Sequence, residues 1–134
     1  MMRQMASQIR ATADRIQDRE IDAFIHEILT TDRIYVMGAG RSGLVAKAFA
    51  MRLMQVGLTA FVVGETITPA MRRNDLLVVF SGSGRTKTIA DIAETAKDIG
   101  GRVALITSNR QSRIGSIADV MVIIEKQRDE IRDE

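Results

Sequence analysis

The chain has 134 residues, 46% of them hydrophobic and 27% charged, and its 19 basic and 17 acidic side chains leave a net charge of +2. That is one domain with enough apolar residues for a core, and the near balance of charge removes the electrostatic case for a nucleic-acid or membrane partner. Without cysteine it has neither disulfides nor thiolate metal sites, and with 4% aromatic residues and no Trp it has no base-stacking surface.

With no apolar run of about 18 residues, the protein is expected to be cytoplasmic. Residues 3 to 29 hold Met5, Ile9, Ile16, Phe24, Ile25, Ile28 and Leu29 at helical spacings without Gly or Pro, so an N-terminal helix is predicted. Its apolar stripe is thin around Thr12 to Arg19, as in a helix completed by the domain behind it or by a partner subunit. The domain division is therefore 1–30 for this helix and 31–134 for the remainder. His26, the single histidine, has no second ligand in view and reads as structural or solvated.

Arg33 to Met37 reads as a buried strand, followed by Gly38-Ala39-Gly40-Arg41-Ser42-Gly43, which has the G-x-G-x-x-G spacing of a dinucleotide turn. The next helix, Ser42 to Val56, is apolar nearly all round and is expected to be buried on more than one side. Met51 and Met54 then read as core filler. Thr59 to Val63 is a second strand, and Glu65 stands just past it, where a carboxylate accepts hydrogen bonds from a ribose or another sugar.

Leu76 to Phe80 is the third strand, and Ser81-Gly82-Ser83-Gly84-Arg85-Thr86 joins it directly to an amphipathic helix that closes at Gly100-Gly101. A glycine-rich turn at a helix start offers unpaired N–H groups and the positive end of the helix dipole, and its hydroxyls add donors, so it is suited to a phosphate. Val103 to Thr107 and Val120 to Ile124 are the fourth and fifth strands, separated by a polar loop from Ser108 to Ile117. The last ten residues, from Glu125, are almost all charged and read as a solvated extension. Alternating strands and helices predict an α/β fold with a parallel sheet covered on both faces, and ligands bind there beyond the carboxyl ends of the strands.

Three readings of the paired turns stand. A dinucleotide site uses the first turn and Glu65 but leaves Ser81 to Thr86 without a purpose. Two tight turns with no ligand are a purely structural reading. A sugar-phosphate site uses both turns, with Ser81, Gly82, Ser83, Gly84 and Thr86 at the phosphate and Arg41, Ser42 and Glu65 at the sugar. It requires neither cofactor nor metal.

Four segments in order, Gly-Ala-Gly-Arg-Ser-Gly (38 to 43), Phe-Ala-Met-Arg-Leu-Met (49 to 54), Val-Gly-Glu-Thr-Ile-Thr-Pro (63 to 69) and Ser-Gly-Ser-Gly-Arg-Thr (81 to 86), closely resemble the 6-phospho-3-hexuloisomerases of the sugar isomerase (SIS) domain family. The resemblance implies a three-layer α-β-α sandwich whose five-stranded, flavodoxin-like sheet has the order 2-1-3-4-5. It further implies a homo-oligomer, dimer or tetramer, converting 3-hexulose 6-phosphate to fructose 6-phosphate through an enediol, in formaldehyde fixation or ribulose 5-phosphate supply. Ser42, Ser81, Ser83 and Thr86 are then the phosphate anchor, with Glu65 and Arg41 at the sugar end and Glu65 the carboxylate available for proton transfer. In the family a histidine stands where this chain has Gln55, and a further helix beyond the charged tail carries the proposed catalytic carboxylate. The sequence stops at Glu134 and is read as a shortened member, for which a sugar-phosphate-binding module without turnover is the alternative function.

Overall fold

A computed structural model describes residues 18–124. The elements run α1 (Asp18–Thr30), β1 (Ile34–Gly38), α2 (Arg41–Gln55), β2 (Ala60–Val62), β3 (Leu76–Phe80), α3 (Lys87–Asp98), β4 (Arg102–Thr107) and β5 (Val120–Ile123). The strands form one parallel sheet in the order β2-β1-β3-β4-β5, the order that the resemblance implies. The stretch 3–17 of the expected N-terminal helix and the charged tail 125–134 lie outside the described residues.

The central strands are continuous apolar runs because both of their faces are covered. Ile34, Val36, Leu76, Val78 and Ala104 pack with Ala46, Ala50 and Leu53 of α2 and Ile28 of α1. Tyr35, Met37, Leu77, Val79, Val103 and Leu105 pack with Ile89, Ala90, Ala93 and Ala96 of α3. Thus α2 returns along one face and α3 along the other. The crossovers diverge between β1 and β3, which pair from Ile34↔Leu76 to Gly38↔Phe80, so the ends of these neighbours are the switch point of the sheet.

Helix α1 is held to α2 by Phe24 stacked on Phe49 at 6.0 Å, and to the sheet by a two-pronged contact in which Arg102 donates to both oxygens of Glu27 at 2.7 Å. Glu20 accepts from the β5 amide of Ile123 at 2.9 Å and from Arg110 at 2.7 Å.

The expectation for α2 needs correction. Only Ala46, Ala50 and Leu53 are buried, whereas Leu44, Val45, Met51 and Met54 are each more than half exposed. The helix meets the sheet along a narrow line of small residues, and no described element covers its outer face. Met51 and Met54 therefore are not core filler within the described residues. His26 is exposed on α1, consistent with a solvated side chain.

Candidate functional site at the ends of β1 and β3

The first glycine turn is built by close approach of backbone to backbone. A Cβ on Gly38 would lie 2.6 Å from the Ser42 carbonyl oxygen, and one on Gly43 would lie 2.8 Å from the Gly38 oxygen. These two glycines seat α2 on β1. Gly40 precedes the helix at φ 57°, a conformation that costs L side chains energy. Ser42 and Gly43 donate back to Ala39 and Gly40 at 3.1 and 3.0 Å, which closes the first turn of helix beneath an exposed Arg41 and a half-buried Ser42.

The second turn, Ser81 to Thr86, begins one residue past the paired end of β3. Ser81 is buried, and its Oγ accepts the Gly84 N–H at 3.0 Å. The Ser83 Oγ accepts the Arg85 N–H at 3.1 Å. Each serine oxygen is thus engaged as an acceptor, and neither hydroxyl donates to a group among the described residues. Thr86 precedes α3 without a side-chain cap on the helix, leaving the first amides of α3 to other acceptors. Gly84 has φ 69°, and a Cβ there would collide with Ser112 Oγ. Around Gly82 a Cβ would meet nothing within 4 Å, so that glycine borders open space.

A third segment, absent from the sequence-based site, holds this turn in shape. The Gly82 carbonyl accepts from Thr107 Oγ1 at 3.0 Å, Ser108 N–H at 3.0 Å and Ser108 Oγ at 2.8 Å. Asn109 Nδ2 donates to the Ser83 carbonyl at 3.1 Å, and the Ile114 N–H to the Gly84 carbonyl at 3.1 Å. The available signal was the polar Thr107-Ser108-Asn109 following an apolar strand at the same end of the sheet.

Glu65 lies past β2 with its side chain 53% accessible and 3.9 Å from Lys47 Nζ of α2. It reaches the same end of the sheet as the two turns. It also borders a cavity of about 270 Å³ that runs beneath the loop after β2, lined mainly by apolar groups including Tyr35, Val63, Leu77 and Ile92. No lining residue of that cavity is basic. Gln55 is the last residue of the 15-residue α2, about 20 Å along the helix from Arg41, and does not approach the turns of its own chain. Among the described residues no group of three or more His, Cys, Asp or Glu is placed to hold a metal, and no helix is long and apolar enough to cross a membrane.

A parallel α/β sheet with two glycine turns side by side at its switch point is a doubly wound α/β fold, and comparison with known proteins is specific within it. Residues 27–132 match the SIS domain model, and the chain belongs to that family. A 3-hexulose-6-phosphate isomerase of Mycobacterium gastri is 44% identical over 87% of this chain and 59% of its own. An uncharacterized protein of Archaeoglobus fulgidus is 41% identical over 97% of this chain and 71% of its own. The crystal structure of a Methanococcus jannaschii protein, for which 3-hexulose-6-phosphate isomerase function has been inferred, superposes with a TM-score of 0.76 at 34% identity, covering 83% of this chain and 63% of that one. The chain therefore spans about three fifths to seven tenths of the length of these relatives.

Proposed function

We propose that this chain is the sugar-phosphate-binding domain of an isomerase that interconverts 3-hexulose 6-phosphate and fructose 6-phosphate. The observation that carries this reading is the Ser81 to Thr86 turn, whose serine oxygens accept the turn's own N–H groups and keep their hydroxyl protons for another acceptor, set beside the Gly38 to Gly43 turn on the neighbouring strand. Ser81, Ser83 and Thr86 hold the phosphate by hydroxyl and amide donors, with Gly82 and Gly84 shaping the turn. Ser42 completes the anchor from the adjacent turn, and Arg41 and Glu65 face the sugar. Hydrogen bonds to a charged group are worth about 1.5–3 kcal/mol each, so a few suffice for useful affinity.

The reaction moves a carbonyl from C3 to C2. A base removes the proton from C2 of the 3-ketose while the C3 carbonyl oxygen gains one, giving the C2=C3 enediol, and a proton is then delivered to C3 while the C2 hydroxyl loses its own to become the new carbonyl. No electron leaves the substrate, so no redox partner takes part. Glu65 is the carboxylate assigned here to proton transfer. The exposure of its side chain favours a second reading, a sugar-phosphate binder without turnover, since proton transfer from carbon is best served by an enclosed site.

Incubation with fructose 6-phosphate in D₂O separates the two. Deuterium at C3 of the recovered sugar establishes enediol chemistry, binding without exchange establishes the binder, and absence of binding refutes both. The protein acts in the cytoplasm as a homo-oligomer, dimer or tetramer. The uncovered row Leu44, Val45, Met51 and Met54 on α2 is the surface that a second copy would cover.

A further inference from the structure

The segment that leaves β4 is tied to the anchor turn by more hydrogen bonds than a passing loop requires, and all of them end on carbonyl oxygens of the turn. Gly82 O receives three donors, Thr107 Oγ1, Ser108 N–H and Ser108 Oγ, at 2.8–3.0 Å. Ser83 O receives Asn109 Nδ2, and Gly84 O receives the Ile114 N–H. The three consecutive carbonyls are all drawn toward residues 107–114.

A trans peptide is planar, and its N–H points opposite to its C=O. Fixing Gly82 O against Thr107 and Ser108 therefore directs the Ser83 N–H away from them, and among the described residues that N–H meets no acceptor. The next two peptides are fixed at both ends, because their N–H groups, on Gly84 and Arg85, are held by Ser81 Oγ and Ser83 Oγ. The carbonyls of Gly82, Ser83 and Gly84 are thus all occupied on the β4 side. The Ser83 amide is left without a partner among the described residues, beside the hydroxyls of Ser81 and Ser83.

Thr107 is 2% exposed, and its hydroxyl is saturated: it donates to Gly82 O and accepts the Asn109 N–H at 3.1 Å. Asn109 is thereby fixed by its backbone while its side chain holds Ser83 O.

We propose that Thr107, Ser108 and Asn109 are positioning residues that turn the carbonyls of residues 82–84 away from the ligand, so that the backbone of the Ser81 to Thr86 turn offers it donors and favours the doubly ionised phosphate of the substrate. This rests on the sugar-phosphate reading above. With the carbonyls of residues 82–84 turned away, a phosphate proton meets only hydroxyl oxygens, two of which already accept an N–H. Affinity for fructose 6-phosphate should therefore decline as pH falls through the second phosphate ionisation near pH 6.

The test measures fructose 6-phosphate affinity by calorimetry, from pH 5 to 8, in wild type, Asn109→Ala, Thr107→Val with Ser108→Ala, and Thr107→Ser. Inorganic phosphate serves as competitor, and thermal melting monitors folding. Expected results are roughly tenfold or greater loss in the first two variants at pH 8 with a shallower pH profile, and wild-type affinity and profile in Thr107→Ser, which keeps the hydroxyl. Affinity and pH profile unchanged in the folded Asn109→Ala protein would overturn the positioning role while leaving the anchor intact. Equal loss in Thr107→Ser would overturn it as well, since the hydroxyl would not be what matters. Failure of the wild-type chain to bind either fructose 6-phosphate or inorganic phosphate would remove the sugar-phosphate reading and this inference together.

Discussion

Gly43 sits directly against the carbonyl of Gly38, so close that a Cβ on Gly43 would lie 2.8 Å from that oxygen. The contact presses the first turn of α2 onto the end of β1 and thereby fixes where Arg41 and Ser42 stand. Gly43→Ala should force the helix outward at an overpacking cost of about 1–3 kcal/mol. Urea unfolding measures it, and fructose 6-phosphate affinity should fall with it because Ser42 moves.

The two glycines of the second turn should respond differently. Gly84 combines φ 69° with a Cβ position occupied by Ser112, so Gly84→Ala is expected to cost about 2 kcal/mol or more through strain and collision. At Gly82 there is room and no positive φ, so Gly82→Ala should change stability by no more than about 0.5 kcal/mol, as a surface substitution does. Equal destabilisation by the two would contradict this account of the turn.

Removing hydroxyls tests the anchor itself. Ser83→Ala and Thr86→Ala should each weaken fructose 6-phosphate binding by about tenfold, corresponding to one charge-assisted hydrogen bond of about 1.4 kcal/mol. Because the phosphate is held alike in ground and transition states, any loss of activity should fall on KM rather than kcat. A change in kcat alone would place these hydroxyls at the reacting carbons.

Asp119 links β5 to the rest of the fold. Burial pushes its carboxyl up, but the hydrogen bonds from Lys97 and from the Val103 N–H, with the charges of Lys97 and Arg102, outweigh that and hold it below the usual aspartate value. A carboxylate depressed in the folded state adds stability above its unfolded value, near pH 4, and that contribution is lost as pH falls through the folded value. Unfolding free energy should therefore drop on acidification below about pH 4. Asp119→Asn should be less stable at pH 7 and lose less on acidification.

The outer face of α2 bears on assembly. Met54, 61% exposed, and Leu44, 68% exposed, leave apolar surface of the kind that subunit contacts cover. Met54→Glu with Leu44→Glu should shift sedimentation toward monomer without lowering the thermal midpoint of the monomeric domain. An unchanged sedimentation coefficient would locate the contact elsewhere.

Much of this was legible in the sequence because it is written in local chemistry. Leu76 to Phe80 is an unbroken apolar run and can only be a strand covered on both faces, and the alternation around it determines a parallel α/β sheet. Ser81 to Thr86 declared its donors by composition alone. Tertiary structure decided three matters that no local pattern encodes. It separated Gly38 and Gly43, which serve helix packing, from Gly84, which serves a left-handed turn, because a glycine's role depends on what stands where its Cβ would be. Among the described residues it left the far side of α2 uncovered, because burial depends on neighbouring elements and not on a helix's own polarity. Finally, it brought Thr107, Ser108 and Asn109 onto the carbonyls of residues 82 and 83, some 25 positions away in the chain, because adjacent parallel strands place their carboxyl ends side by side.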